Sequence, residues 1–203
     1  MLRSYFKFRL VSLQVIFACI FFNIQAQNLV PNPSFEDFTA CPSALGQTGK
    51  ATPWRNPSVG NVSSDYFNSC NLSGFSDVPA NVFGSQEGRT GSGYAGVYAY
   101  IKNADSREYL HVPLMGNLLA GVKYLASMYV SLSDTSSFAV DGMGMLFTKD
   151  TATHSIGNYF SSDPTLIPQV ENFAGWIPED KNNWIRISGI FTASGGENYL
   201  TIG

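Results

Sequence analysis

Aromatic side chains near amide and guanidinium groups are the residues of this sequence with the clearest potential chemistry. A flat aromatic ring can stack on the C–H face of a sugar, while nearby Asn, Gln, Asp or Arg side chains bind its hydroxyl groups. Stretches rich in Pro, Gly, Ser and Asn are expected to place several such residues on loops. The leading candidates are Trp176 and Tyr66 as platforms, Arg89 and Asn68 as hydroxyl partners, and Tyr159 as a further ring.

Each of these rings has an alternative role, which is packing in a hydrophobic core. Trp54, Tyr94, Tyr98 and Tyr100 are further candidates for stacking, although the spacing of the three tyrosines also fits ordinary cross-strand packing. Trp184 is expected in the core. Trp176 and Tyr159 lie in a long segment without regular periodicity, which favours exposure for these two.

Catalytic motifs are absent from the sequence. It contains no Gly-x-Ser-x-Gly, no His-Glu-x-x-His and no phosphate-binding loop. A Ser/His/Asp triad would have to use His111 or His154, and we expect His111 on a sheet surface. Asp134 and Asp141 are candidates for the paired carboxylates of a glycosidase, but their separation in the sequence does not establish that they lie at the required distance. A secreted hydrolase is therefore only a second alternative.

The first 26 residues have the pattern of a secretory signal peptide. Basic residues precede an apolar run from Leu10 to Phe22, and Ala26 supplies a small residue at the expected cleavage point. A membrane anchor is the rival, but the run is shorter than the about 20 residues that a spanning helix needs. A lipoprotein site at Cys19 fits less well, because this cysteine lies inside the apolar run. We therefore predict a signal peptide at 1–26 and one exported domain at 27–203.

Charge and cysteine content fit this prediction. The signal would remove three basic residues and no acidic one, so the formal net charge changes from −3 to −6. This balance argues against nucleic acid as a partner. Cys41 and Cys70 remain, and an even pair in an exported protein most often forms a disulfide. Free buried thiols or a metal site are the alternatives.

Short alternating segments separated by turn residues predict an all-β fold. Strands are expected at 94–101, 107–112, 123–132, 137–148, 183–192 and 199–202. In the segment 123–132 the even-numbered residues are expected on one face, and Leu125 and Tyr129 on the other. Because no βαβ rhythm is present, we predict an antiparallel β-sandwich.

A family resemblance rests on the segment Asn28–Glu36 and on several later motifs. Asn32, Phe35 and Glu36 form an Asn-x-x-Phe-Glu pattern that resembles the opening of carbohydrate-binding modules with the galactose-binding-like jelly-roll fold. The chain is also similar to secreted domains common in Bacteroidetes, over most of residues 28–203. The resemblance implies a jelly roll whose closing strand is missing after Gly203.

The resemblance also implies a calcium site. In the carbohydrate-binding relatives the Glu of the opening motif, here Glu36, helps to hold a structural Ca²⁺. Asp141 is a possible partner, since several oxygen ligands are needed. The alternative is that Glu36 and Asp141 pair with backbone N–H groups or with Arg107.

Together these observations predict a non-catalytic secreted or cell-surface module. Its expected partner is a polysaccharide or a cell-surface glycan. The first alternative is a structural or adhesive spacer that docks against neighbouring domains of a longer chain.

Overall fold

A computed structural model of the chain describes residues 27–57, 63–101, 107–151 and 166–203. The expected signal peptide, His154 and Tyr159 lie outside these ranges. Within them, the only helical element is a 3-10 turn at Thr48–Lys50, and every strand pairing is antiparallel. The strands are β1 Asp65–Asn68, β2 Ala80–Asn81, β3 Gly84–Ser85, β4 Gly93–Gly96, β5 Leu110–Pro113, β6 Lys123–Val130, β7 Gly144–Thr148, β8 Val170–Glu171, β9 Ile185–Thr192 and β10 Tyr199–Ile202. The prediction of an all-β antiparallel fold is confirmed.

The largest sheet has four strands in the order β5–β10–β7–β8. Along all four of its residues, β10 pairs with β5 on one side and with β7 on the other, so that Leu200 lies opposite Val112 and Phe147. A backbone bridge between Arg55 and His111 extends the β5 edge. The sheet therefore joins segments that are far apart in the chain.

Strands β6 and β9 form a ribbon of eight residue pairs. The predicted alternation is confirmed, because Ala126 and Met128 are buried while Leu125 is 65% exposed. The ring centroids of Phe147 and Phe191 lie 4.6 Å apart and join the ribbon to the four-stranded sheet.

One hydrophobic core lies between the four-stranded sheet and the ribbon, which is consistent with a β-sandwich. Burying a large apolar side chain of this kind stabilises a fold by about 1.5–3 kcal/mol. The buried members of this core are Trp54, Leu110, Val112, Leu118, Ala126, Met128, Met143, Met145, Phe147, Val170, Ile187, Phe191, Ala193 and Leu200.

The Asn-x-x-Phe-Glu segment fastens the N-terminal part of the domain to this core. The buried Asn32 side chain donates to the carbonyl oxygens of Asp37 and Thr52 and accepts from the Asp37 amide. The Asn32 backbone carbonyl accepts the indole N–H of Trp54 at 2.8 Å. The Phe35 ring packs on that indole with centroids 4.9 Å apart. This motif therefore has a clear structural role.

The predicted disulfide between Cys41 and Cys70 is confirmed. The bond closes a loop of 29 residues, with the two Cα atoms 5.9 Å apart. It ties the segment before the 3-10 turn to the turn that follows β1.

Two predicted strands are shorter than expected. β4 ends at Gly96, because the Tyr98 amide donates to the Glu108 side chain instead of joining a strand ladder. β7 begins only at Gly144, since Gly142 adopts a φ of +80° that interrupts an extended chain.

The expected position of His111 was wrong. This residue is fully buried, and its Nδ1 lies 2.8 Å from the Thr201 hydroxyl on β10. Tyr199 stacks against the imidazole with centroids 5.2 Å apart. Burial, together with the charge of Arg55, lowers the pKa of His111 to about 4, so the ring is neutral at pH 7.

Candidate functional site: an aromatic groove

A groove of about 1160 Å³ is bounded by the hairpin β2–β3, by β4 and by β6, and its floor reaches the hydrophobic core. Its volume exceeds the range of about 300–1,000 Å³ that is typical of small-molecule sites. We call it the aromatic groove because of the rings that line it. The lining rings that lie outside the hydrophobic core are Phe67, Phe83, Tyr94, Tyr98, Tyr100, Tyr129, Phe138 and Trp184.

Five of these rings form a continuous series of contacts. Trp184 meets Tyr94 edge-on with centroids 5.6 Å apart, and Tyr94 stacks on Phe67 at 5.0 Å. Phe67 meets Phe83 at 5.9 Å, and Phe83 meets Tyr98 at 5.7 Å. Such offset and edge-to-face pairs are the favoured aromatic arrangements. The series therefore forms one wall of the groove with fixed ring orientations.

The outer part of the groove presents rings to solvent. Tyr98, Tyr100 and Phe138 are 42%, 47% and 54% exposed. Tyr100 and Phe138 form an edge-to-face pair with centroids 5.8 Å apart. A ligand can therefore contact these rings without displacing the core.

Hydrogen bonds from side chains set the orientation of the rings. The Asn81 amide group donates to the Tyr94 hydroxyl at 2.7 Å, and its Oδ1 accepts from the Phe83 amide at 2.9 Å. The Trp184 indole N–H donates to the Glu87 carbonyl at 2.9 Å. Burial raises the pKa of the Tyr94 phenol, against the opposing effect of the Asn81 hydrogen bond. The hydroxyl therefore stays protonated at neutral pH.

Polar groups from the 131–136 segment border the rings. The Asp134 carboxylate accepts from the Ser85 amide at 2.8 Å, and the Ser133 hydroxyl donates to the Phe83 carbonyl at 2.8 Å. Gly84 has a φ of +126°, and a Cβ there would overlap the Asp134 side chain. Glycine is therefore required for the hairpin β2–β3 to approach this segment.

Arg89 lies at the other end of the groove. Its guanidinium carbon is 3.5 Å from the centroid of the Tyr129 ring, which is a cation–π geometry. Arg89 is exposed, and Tyr129 is half-buried.

Two buried carboxyl groups belong to this region, Asp65 in the lining of the groove and Glu108 next to Tyr98. Asp65 accepts from the Gly46 amide at 2.6 Å, and Glu108 accepts from the amides of Tyr98 and Ser63. Burial raises the pKa of Asp65 to about 6 and that of Glu108 to about 7, and the charge of Asp65 adds to the shift of Glu108. Both carboxyl groups therefore serve as hydrogen-bond acceptors for backbone amides of the fold.

The structure does not form the platform expected at Tyr66 and Asn68. Tyr66 is fully buried, and its hydroxyl donates to the Phe35 carbonyl and accepts from the Asn68 amide group, both at 2.9 Å. Asn68 is 2% exposed. All four residues of β1 are buried, so the expectation that they lie on a loop was wrong.

The other predicted residues are dispersed. Trp176 is partly buried against the core and stacks on Phe173 with centroids 5.7 Å apart, away from the aromatic groove. Arg89 does line the groove, whereas Tyr159 lies outside the described residues. The predicted set is therefore not brought together into one site.

Glu36 and Asp141 bind backbone amides in different parts of the fold. Glu36 accepts from Ser92 and Gly93, each at 2.9 Å, and Asp141 accepts from Gly175 at 3.2 Å. The backbone pairing considered as the alternative is therefore what the structure has. Asp141 is also exposed rather than enclosed in a strand. Among the described ranges, no cluster of three His, Cys, Asp or Glu residues could hold a metal ion.

Sequence reasoning missed most of the groove. Phe83, Tyr129 and Phe138 were not singled out as binding residues, and Trp184 was assigned to the core. Tyr94, Tyr98 and Tyr100 were candidates for which packing was the favoured alternative. One available signal was the density of aromatic residues between 83 and 100, which is higher than two short strands need for a core.

Comparison with known proteins gives no relative for this chain. It matches no protein-family model, no curated protein and no solved structure. In the part of the chain that the structure describes, no helix is long and apolar enough to cross a membrane.

Proposed function

We propose that the protein is a non-catalytic glycan-binding module and that the glycan lies in the aromatic groove. The observation that carries this proposal is the set of three exposed rings, Tyr98, Tyr100 and Phe138, beside hydrogen-bonding groups of the 131–136 segment. Exposed rings supply stacking surfaces for sugar C–H faces, and Asp134 and Arg89 supply partners for sugar hydroxyls. The proposed site is therefore the groove rather than the sequence-based platforms Trp176 and Tyr66, and Arg89 belongs to both sets of candidates.

The groove is partly preorganised for such a ligand. The Tyr98 backbone is held by Glu108, and the rings behind it are fixed by the Asn81 and Trp184 hydrogen bonds. A site whose side chains are already ordered loses less conformational entropy on binding. A shallow aromatic platform still binds weakly, so we expect dissociation constants of about 10 µM to 1 mM, equivalent to about 4–7 kcal/mol.

The alternative of a secreted hydrolase has less support. Asp65 and Glu108 are the carboxyl groups with strongly raised pKa values, but they are only 4% and 6% exposed and accept hydrogen bonds from backbone amides. A general acid must reach the glycosidic oxygen of a bound substrate.

The finer expectations from sequence belong to the same proposal. The jelly-roll topology is compatible with the antiparallel sheets, and export is compatible with the Cys41–Cys70 disulfide, which persists in oxidising compartments. On this view the module acts outside the cytoplasm or on the cell surface, and its acidic net charge argues against nucleic acid as a partner.

The test is titration of the protein with a panel of neutral and acidic polysaccharides, followed by Tyr98→Ala. Loss of this half-exposed ring should weaken binding at least fivefold, or by about 1 kcal/mol, with little change in the melting temperature. Phe75→Ala is the matched control, because Phe75 is 55% exposed and does not line the groove. Absence of binding to every polysaccharide at millimolar sugar concentration would refute the proposal.

A second candidate is docking of an extended segment from a neighbouring domain, as a spacer or adhesive domain would require. Among the described residues β4 pairs only with β1, and β6 only with β9, so both strands border the groove with one unpaired edge. Unpaired edges can accept an added strand. A docked strand would slow amide hydrogen exchange along β6, whereas a bound glycan would leave that exchange unchanged.

A further inference from the structure

The charges around the aromatic groove differ in sign from those of the domain as a whole. Without residues 1–26 the chain has a formal charge of −6. The charged residues that line the groove are three cations, Arg89, Lys123 and Lys181, and two acids, Asp65 and Asp134. Because the pKa of Asp65 is raised to about 6, its negative charge is not complete near that pH. The groove is thus a locally cationic site on an acidic protein.

Among these cations, Arg89 is the one best arranged to bind a ligand. Lys181 already donates to the carbonyl oxygens of Asp134 and Ser136, at 2.8 and 3.0 Å. The Tyr129 ring packs against one face of the Arg89 guanidinium, and among the described residues its N–H groups make no hydrogen bond or ion pair. Its planar edge therefore remains open to solvent while its position is fixed.

A guanidinium with a free edge fits a planar or tetrahedral oxyanion. Two parallel N–H donors bind a carboxylate or a sulfate group in a bidentate manner, and lysine cannot reproduce this geometry. Stacking on an aromatic ring leaves that edge unused. Binding by Arg89 therefore depends on the geometry of the anionic group as well as on its negative charge.

We propose that the glycan bound in the aromatic groove is acidic and that Arg89 binds its carboxylate or sulfate group. This inference rests on the proposed glycan-binding function. In the bound state the sugar rings lie against the exposed aromatic side chains, and the anionic substituent points to the Arg89 end of the groove.

The experiment compares ligands that differ only in charge. Polygalacturonate oligosaccharides are titrated beside their methyl esters, and dextran sulfate beside dextran. An acidic member should bind at least tenfold more tightly than its neutral partner, since a hydrogen-bonded charged pair contributes more than a neutral one. The two ligand pairs distinguish carboxylate from sulfate as the preferred group.

Variants then assign the preference to Arg89. Arg89→Gln should weaken binding of the acidic member about tenfold more than binding of its neutral partner and so remove the preference, whereas Arg89→Lys should restore only part of it. Arg186→Gln is the matched control, because Arg186 is exposed and lies across the β6–β9 ribbon from Tyr129 but does not line the groove. Melting temperatures of the three variants verify that the fold is retained.

The outcomes separate this inference from the function on which it rests. If neutral and acidic ligands bind equally, or if Arg89→Gln keeps the preference, the inference is overturned and the glycan-binding proposal stands. If Arg186→Gln removes the preference as strongly as Arg89→Gln, general surface charge is responsible and the role of Arg89 is refuted. If none of the ligands binds, both proposals fail.

Discussion

Tyr98 and Glu108 bind each other through two hydrogen bonds. The Tyr98 amide donates to a carboxylate oxygen of Glu108, and the Glu108 amide donates to the Tyr98 carbonyl, both at 2.9 Å. One residue is an exposed ring of the aromatic groove, and the other is a buried acid with a pKa raised to about 7. The position of the ring therefore depends on a group that titrates near neutral pH.

The first prediction concerns stability against pH. In the folded protein, burial raises the pKa of Glu108 from 4.5 to about 7, so the fold retains a proton that the unfolded chain loses. The stabilising contribution of Glu108 is fully present below its unfolded pKa and is lost as the pH rises to about 7. The melting temperature of the wild-type protein, relative to that of Glu108→Gln, should therefore fall between pH 4.5 and 7.

The comparison with Glu108→Gln is needed because His111 acts in the opposite direction. Its pKa is lowered from 6.5 to about 4, so its contribution is present above pH 6.5 and is lost as the pH falls toward 4. The wild-type curve alone mixes these effects with that of Asp65, whose pKa is raised to about 6. The difference between the two proteins reports the titration of Glu108 together with its coupling to Asp65. A difference that stays constant from pH 4.5 to 8 would contradict the prediction.

A second prediction concerns the buried amide of Asn32. This side chain makes three hydrogen bonds, and the residue has a φ of +44°, which asparagine tolerates better than alanine. Asn32→Ala should lower the free energy of unfolding by about 2 kcal/mol, because three partly buried backbone groups of Asp37 and Thr52 lose their partner. Chemical denaturation measures this change.

Asn28→Ala is the control for the Asn32 variant. Asn28 is exposed, and its side chain accepts one hydrogen bond from the Val30 amide. Its replacement should change stability by no more than about 0.5 kcal/mol. Equal effects of the two variants would mean that the opening motif does not fasten the segment as described.

The sequence predicted best the long strands in which buried and exposed residues alternate over many positions. In β6, buried Ala126 and Met128 alternate with exposed Leu125, as one buried face requires, and the residues of β9 alternate in the same way. β4 was overestimated because its end depends on Glu108, a residue 12 positions beyond Gly96. Such a contact leaves no periodic signal in the strand itself.

The aromatic groove was not predictable for a related reason. Phe83 and Tyr98 meet because the hairpin β2–β3 lies beside β4, where Asn81 donates a hydrogen bond to Tyr94. Tyr66 was expected on a loop because prolines and small residues surround it, yet β1 is buried on both faces. Burial on both faces removes the alternation that distinguishes a strand from a loop.

A third prediction concerns the turn between β9 and β10. Gly195 has a φ of +94°, and a Cβ there would lie 2.6 Å from the Ala120 Cβ and 2.9 Å from the Ala120 backbone nitrogen. Gly195→Ala should therefore destabilise the protein by about 1–3 kcal/mol through backbone strain and overlap. Gly116→Ala, where nothing lies within 4 Å of the new Cβ, should be nearly neutral in the same thermal melt.

The last prediction concerns the disulfide. Cys41 and Cys70 close a loop of 29 residues, and on the chain-entropy model such a cross-link stabilises the fold by about 3–4 kcal/mol. Cys41→Ala/Cys70→Ala should therefore unfold at clearly lower urea concentration than the oxidised wild type. Reduction of the wild type should reproduce most of that loss, while the reductant should have no effect on the double variant. If the reductant destabilises both proteins equally, it acts by some route other than the Cys41–Cys70 bond, and the stabilisation assigned to this bond would be refuted.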